Sequence, residues 1–405
     1  MFNSRIALHW QILIALMLAV IFGLLFKDYV PYISWMGDLF LRMLKMIVVP
    51  LIISSIISGI ANIGSHDHFG RLGLKTMGYY IFTSVAAILV SLLFVNIFHP
   101  GDGIDLTGMT DFSKANLKNQ CMRDVLLGIV PDNIFKSMAN NELLSVIFFS
   151  ILLGIFIPRL SSRHSDQLTG FFNSIFELFM KITLFVIKLA PYGIFGLIIK
   201  VVADQKDFTG LMVNLGSFVL TVMFAILVHA FIILPLLVKY FGKSNPMKHF
   251  RNMSTPLLTA FSTASSAAAL PLSLNEVRDK SGVSEKITNF TLPIGATVNM
   301  DGTAIYIVAV VMFIAQAQGI KMGIAEQFII LLTALLTSIG TAAIPMASLV
   351  IITIILDILK LPVEMIALIL PVDRILDMFR TASNVWSDTC GAVIIAKSEG
   401  EKLKV

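Results

Sequence analysis

Six long apolar stretches dominate the first 240 residues, at about 7–26, 40–64, 76–98, 128–157, 171–201 and 211–238. A helix needs roughly 20 apolar residues to cross the hydrocarbon core of a bilayer. Inside lipid the backbone must satisfy its own hydrogen bonds, so such stretches span as helices. The composition agrees: 57% of the residues are hydrophobic and only 14% charged, with a mean hydropathy of +0.87. A soluble chain of 405 residues would lack the charge to cover its surface. The net charge of +5 does not mark a nucleic-acid patch, because the basic residues lie between apolar segments. Two cysteines, Cys121 and Cys390, are too few for a disulfide framework. The first stretch has no small-residue cleavage site before Lys27-Asp28 and reads as a retained helix.

Lysine and arginine favour the cytoplasmic side of a membrane protein. Lys239, Lys243, Lys248 and Arg251 follow the sixth span, Arg71 and Lys75 the second, and Arg159 and Arg163 the fourth. These loops are expected inside, with both termini, and the polar segment 100–124 outside. The fourth span is loose, broken at Pro131-Asp132-Asn133 and Asn140-Asn141-Glu142.

Beyond residue 250 the pattern changes. Residues 254–275 are uncharged but rich in Ser, Thr and Ala, and 328–355 are broken by Ser338-Ile339-Gly340-Thr341-Ala342-Ala343-Ile344-Pro345. Such centres free backbone groups, which are tolerated at membrane depth only when buried in protein or lining a wet cavity. Ala268-Ala269-Leu270-Pro271 echoes Ala342-Ala343-Ile344-Pro345. Paired, interrupted apolar segments point to re-entrant hairpins around a transport site; two ordinary kinked helices are the plainer alternative.

The last apolar segment, about 362–396, contains Asp373, Arg374, Asp377, Arg380, Asn384 and Asp388. A charge at the bilayer centre costs roughly 2.5–3.5 kcal/mol on insertion scales, so such groups require partners. At about 3.6 residues per turn, all but Arg374 fall within an arc of roughly 80°. An amphipathic surface helix could also show this pattern, but the flanks are long and apolar. Arg380 can grip a carboxylate through two parallel hydrogen bonds. Asp377 can hold an ammonium group and Asn384 a second carboxylate. A substrate with one ammonium and two carboxylates, aspartate or glutamate, satisfies all three; an internal Arg380–Asp377 salt bridge is the alternative. Another polar break, Gly295 to Thr303, includes Asn299-Met300-Asp301-Gly302. Broken helices expose carbonyls that suit hard cations, and Asp301 and Asp388 add carboxylates. One compact cluster, rather than repeated rings, disfavours a channel. A hydrolase built on Ser265 or Ser266 would need an intramembrane base, and His229 in the sixth span is expected only to pack.

These motifs resemble the glutamate transporter family, the dicarboxylate/amino acid:cation symporters, from the first span to Lys397. The likeness is carried by Ser265-Ser266 with Leu270-Pro271, by Asn299-Met300-Asp301-Gly302-Thr303, and by Asp373 to Asp388 at their spacing. The resemblance implies an all-α polytopic membrane protein of eight transmembrane helices plus two re-entrant helical hairpins, built as inverted repeats and assembled as a homotrimer. It implies scaffold helices in 1–70 and 100–205. A mobile transport part would comprise 71–99, 206–250 and the core 251–405. It implies no enzymatic activity and no cofactor beyond co-transported Na⁺ or H⁺. Of the substrate, Arg380 with Thr303 would bind the side-chain carboxylate, Asp377 the ammonium and Asn384 the α-carboxylate. Thr381, Ser265, Ser266, Thr341, Ala342, Ala343 and Ile344 would complete the pocket. Cation sites would use Asp388 with Gly295, Asn299 and Asn384; Ser338, Ile339 and Thr341 with Thr297 and Met300; and Asp301 and Asn299 with Tyr80, Thr83 and Ser84.

The chain also departs from the family pattern. Ala264 and Met378 stand where acidic-amino-acid members commonly carry one further arginine, which bears on affinity and turnover. The second hairpin reads Ala343 to Ser348 where relatives often have glycines, implying a stiffer gate. A C4-dicarboxylate or neutral amino acid carrier of the same family remains an alternative. So does the choice between sodium and protons. A bacterial inner membrane is the expected location.

Overall fold

The computed structural model describes residues 8–64, 70–104, 130–140, 143–204, 208–338, 347–359 and 361–405. Cys121, most of the polar segment 100–124, and Ile339 with Thr341, Ala342, Ala343 and Ile344 lie outside them. Every regular element among the described residues is helical. The principal ones are α1 (Leu8–Leu25), α2 (Trp35–Gly64), α3 (Gly70–Phe98), α4 (Leu143–Phe156), α5 (Ser162–Lys188) and α6 (Ala190–Asp204). They continue with α7 (Phe208–Val228), α8 (Leu234–Tyr240), α9 (Pro246–Asn252), α10 (Ser254–Thr263), α11 (Ser266–Glu276) and α12 (Glu285–Val298). The chain closes with α13 (Asp301–Ala317), α14 (Ile324–Ser338), α15 (Ala347–Ile358) and α16 (Ile366–Ser398).

Among the described residues, five helical runs have the length and apolarity to cross a membrane: Lys27–Ala61, Arg71–Phe98, Ser162–Lys188, Met212–Tyr240 and Glu285–Ala317. The second, third, fifth and sixth expected spans fall on such runs, whereas the first and fourth are met by shorter apolar helices, Trp10–Leu25 and Ser145–Arg159. The fifth begins earlier, at Ser162, and is interrupted at Leu189, just ahead of Pro191, whose ring and missing N–H oppose a continuous helix. The fourth divides into a short helix, Ile134–Ala139, capped by Asn133, and α4.

Packing follows from which faces are apolar. Helix α1 lies along α6, and α2 packs on α4, α5 and α6. Helix α13 packs on α3, α7, α14, α15 and α16, and every residue from Asp301 to Ala315 is buried. A helix apolar on all sides belongs at the centre of a bundle. Helices α10, α11 and α12 pack on α16, and α10 and α11 fold back on each other across Ala264 and Ser265. Ala264 takes a left-handed conformation, φ 48°, and Ser265 caps α11 by accepting from the Ala268 N–H. Helices α14 and α15 form a second packed pair.

Near the positively charged loops a polar clasp ties the segment after α16 to the starts of α3 and α12. Glu399 accepts from Arg71 and Lys75 at 2.6 Å each, and Glu401 accepts from the Ser284 N–H. The two cations hold the Glu399 carboxyl below its usual range. His249 is buried beside this clasp, stacked on Trp386 and bonded to Ser281 Oγ at 2.9 Å.

Two predictions follow from this packing. A Cβ on Gly196 would sit 2.5 Å from the Gly37 backbone N, so α2 and α6 meet backbone to backbone. Gly196→Leu should therefore destabilise by about 1–3 kcal/mol, the usual cost of overpacking. It should be seen as a lower thermal midpoint of the purified protein in detergent. Burial pushes His249 down from 6.5 to about 4. An unfolded chain then takes up this proton first, so stability is complete above pH 6.5 and declines as pH falls toward 4. The midpoint should drop across that window in the native sequence and flatten in His249→Phe.

Candidate functional site

The polar stripe is where the sequence pattern places it, and it is enclosed in protein. Asp373, Asp377, Arg380, Asn384 and Asp388 on α16 are all buried, and Arg380 has 0% exposure. Arg374 lies off the stripe and is less enclosed, reaching Asp377 Oδ2 at 3.2 Å. A surface helix with solvated charges is thereby excluded.

The upper cluster centres on Arg380. Its Nη2 donates to Asp373 Oδ1 at 3.0 Å and forms an ion pair with Asp377 Oδ1, also at 3.0 Å, and its Nη1 donates to Ser348 Oγ at 2.9 Å. The guanidinium carbon lies 3.8 Å from the centre of the Tyr306 ring. Arginine suits this position because a planar, weakly hydrated cation can stack and make forked hydrogen bonds at once. The internal Arg380–Asp377 pair is therefore present. Ser348, Tyr306 and the direct partnership of Asp373 gave no signal in the local sequence, being 32, 74 and 7 residues away.

Asn384 links this cluster to the next. Its Oδ1 accepts from the Gly302 N–H at 2.7 Å, and its Nδ2 donates to Thr303 Oγ1 and Met300 Sδ, both at 3.2 Å. The side chain thus crosses from α16 to the first turn of α13. Thr381 is buried next to it on α16. The tip of the first hairpin reaches the same stretch. Phe261 meets Phe379 edge to face at 5.0 Å, and Ala260 and Ala269 pack on Val385. Ser266 is buried at the start of α11.

The lower cluster is oxygen-rich. The α12–α13 helix breaks at Asn299 and Met300, interrupting its hydrogen-bond ladder. Asn299 Nδ2 donates to Asp388 Oδ1 at 2.8 Å and to Ser387 Oγ at 2.9 Å, while its Oδ1 accepts from Thr83 at 3.2 Å. Asp301 Oδ1 accepts from Ser84 at 2.8 Å; its Oδ2 accepts from Ser387 at 2.6 Å and contacts His229 Nε2 at 3.0 Å. Tyr80 donates to the Thr291 carbonyl at 2.8 Å. The groups touching the two carboxylates are hydroxyls, an amide and an imidazole. Such a set offers net negative charge and hard oxygen ligands, the chemistry of a cation site.

Thr297 Oγ1 bonds the Ile294 carbonyl of its own helix, as its place near the end of α12 permits. Ser338 is the last residue of α14. His229 corrects the sequence reading: it is hydrogen-bonded to Asp301 rather than merely packed.

A bundle of membrane-length helices enclosing an ion-paired cluster beside an oxygen-rich one, at a broken helix, defines a membrane protein of the solute-transporter class. The sodium:dicarboxylate symporter family matches residues 8–398, and the chain belongs to it. It is 36% identical to the proton/glutamate-aspartate symporter of Escherichia coli (strain K12), over 98% of this chain and 94% of that protein. It is 35% identical to the proton/sodium-glutamate symport protein of Bacillus subtilis (strain 168), over 98% and 94%. It is 30% identical to excitatory amino acid transporter 3 of Mus musculus, over 98% and 87%.

Gly295 supplies a test of the lower cluster. A Cβ there would fall 2.6 Å from Asp388 Oδ1 and 2.8 Å from the Tyr80 hydroxyl. Gly295→Ala should displace Asp388 and raise the sodium concentration for half-maximal uptake by about tenfold, about 1.4 kcal/mol. Uptake into proteoliposomes at graded sodium measures it.

Proposed function

We propose that this protein imports glutamate or aspartate across a bacterial inner membrane, driven by Na⁺ or H⁺. The observation that supports this most is the Arg380–Asp377 pair, buried among apolar helices at 3.0 Å. A zwitterionic diacid can exchange for that pair: its side-chain carboxylate meets Arg380 and its ammonium meets Asp377. Both protein charges stay neutralised throughout, so neither is left bare in a low-dielectric interior. In this reading Thr303 assists Arg380 at the side-chain carboxylate and Asn384 binds the α-carboxylate. Succinate lacks the ammonium and would leave Asp377 with the less enclosed Arg374 as its cation, a poorer exchange that favours amino acids over C4-dicarboxylates.

The cation requirement follows from charge. Substrate enters with net charge −1, and an inside-negative potential opposes it by about 2.3 kcal/mol per 100 mV. Each tenfold accumulation costs about 1.4 kcal/mol more. Two or more cations reverse the sign of the electrical term. In this reading Asp301 and Asp388, with Tyr80, Thr83, Ser84, Gly295, Thr297, Asn299 and Met300, supply their ligands. Eight spanning helices and the two hairpins form each protomer of a trimer. The segment α3 and residues 206–405 move as a transport unit against the remainder, with both termini cytoplasmic. Coupling is then the preference of the closed states for carrying both ligands.

Radiolabelled uptake into proteoliposomes tests the assignment, with substrate, sodium and pH varied independently. Arg380→Ala should lower aspartate and glutamate uptake at least about thirtyfold, because losing one partner of a buried charge pair costs about 2–5 kcal/mol. Some binding of neutral amino acids should survive. Unchanged aspartate uptake in that variant, or succinate taken up in preference to aspartate by the native protein, refutes it.

A further inference from the structure

His229 has no part in the transport reading above, yet it is fully buried against Asp301. Its place comes from an irregularity in the sixth span. Residues His229–Ile233 form one π-turn between α7 and α8. Pro235 follows two residues beyond the turn; it has no N–H for the ladder, and its ring crowds the preceding turn. The Leu234 N–H bonds to the His229 carbonyl, so the Ala230 carbonyl loses its usual helical partner. Trp386 Nε1 on α16 donates to that carbonyl at 2.9 Å. Trp386 is itself held between His249 and Phe250, with ring centres 5.2 Å away in each case. The π-turn is thus clamped from outside the helix, and the ring of His229 is fixed where it meets Asp301. π-Turns inside helices frequently mark functional positions.

The two oxygens of Asp301 are held differently. Oδ2 faces His229 Nε2 at 3.0 Å and the Ser387 hydroxyl at 2.6 Å. Ser387 is committed to that bond, because its own oxygen accepts from Asn299 Nδ2. Among the described residues, Oδ1 accepts a hydrogen bond only from the Ser84 hydroxyl, at 2.8 Å. A serine hydroxyl can turn its hydrogen away and offer a lone pair to a cation, whereas an imidazole N–H can only donate. His229 Nδ1 has no hydrogen-bond partner among the described residues. A neutral ring with its proton on Nε2 satisfies this geometry.

We propose that His229 is a positioning residue for cation binding. It pins Oδ2 of Asp301 so that Oδ1, with Ser84, Thr83 and Asn299, faces the cation. The proposal deepens the transport reading and rests on the lower cluster being a cation site.

The test compares sodium dependence of aspartate uptake in proteoliposomes of the full-length native protein and four variants. His229→Leu and His229→Phe remove the donor. Each should raise the half-saturating sodium concentration at least tenfold, with the maximal rate at saturating sodium kept within about threefold. His229→Gln keeps an N–H donor and should stay within about threefold of the native protein on both measures, a rescue that a purely space-filling role does not predict. Asp301→Asn is the control for the underlying site. If it shifts sodium dependence while the leucine and phenylalanine variants do not, the cation site stands and the positioning role is wrong. If neither Asp301→Asn nor the native protein shows the expected sodium response, the cation-site reading fails and takes the proposal with it. Should both donor-less variants fail to fold while the glutamine variant folds, or should glutamine fail to rescue, His229 is a folding residue and the proposal is overturned.

Discussion

Arg380 is fully buried, so its charge must be balanced by protein groups, and the surrounding architecture answers that constraint. A cation with 0% exposure in an apolar helix survives only with anions at contact distance. Asp373 and Asp377 provide them from the same helix, at seven and three residues' separation, Ser348 provides a hydroxyl from α15, and Tyr306 provides a ring face from α13. Helix α16 must therefore be surrounded, and α7, α10, α11, α12 and α13 all pack on it. The enclosure that makes the charges tolerable also makes them selective. Any solute that displaces one internal partner has to supply the equivalent charge.

The oxygen-rich cluster obeys the same logic with opposite sign. Asp301 and Asp388 are buried within one hydrogen-bonded network, joined by Asn299 and Ser387. Asn384 connects this network to the Arg380 region through Gly302 and Thr303. A movement at one cluster is therefore felt at the other through a few direct contacts, which is the physical requirement for coupling two solutes.

Much of this was legible in the sequence because helical period determines it. The stripe Asp373, Asp377, Arg380, Asn384 and Asp388 follows from spacing alone, and every member is buried as expected. The break at Asn299–Met300 follows from local composition, whereas the turn at Ala264–Ser265 precedes the Ala268–Pro271 stretch that composition marked, which is helical. What stayed hidden depends on contacts distant in sequence. Tyr306 and Ser348 look like ordinary apolar-helix residues until the fold brings them to Arg380. His229 escaped because a regular period does not describe a helix containing a π-turn, and the indole that stabilises that turn lies 156 residues away. The inward helix break near Leu189 is similarly set by one proline rather than by the pattern.

The exchange of an internal ion pair for a zwitterionic diacid is most directly tested by calorimetric binding to the native protein in sodium. Aspartate, succinate and asparagine share size but differ in which charge they bring. Aspartate should bind, while succinate, without the ammonium, and asparagine, without the side-chain carboxylate, should each bind at least about a hundredfold more weakly. Equal affinity for aspartate and either analogue would contradict the account.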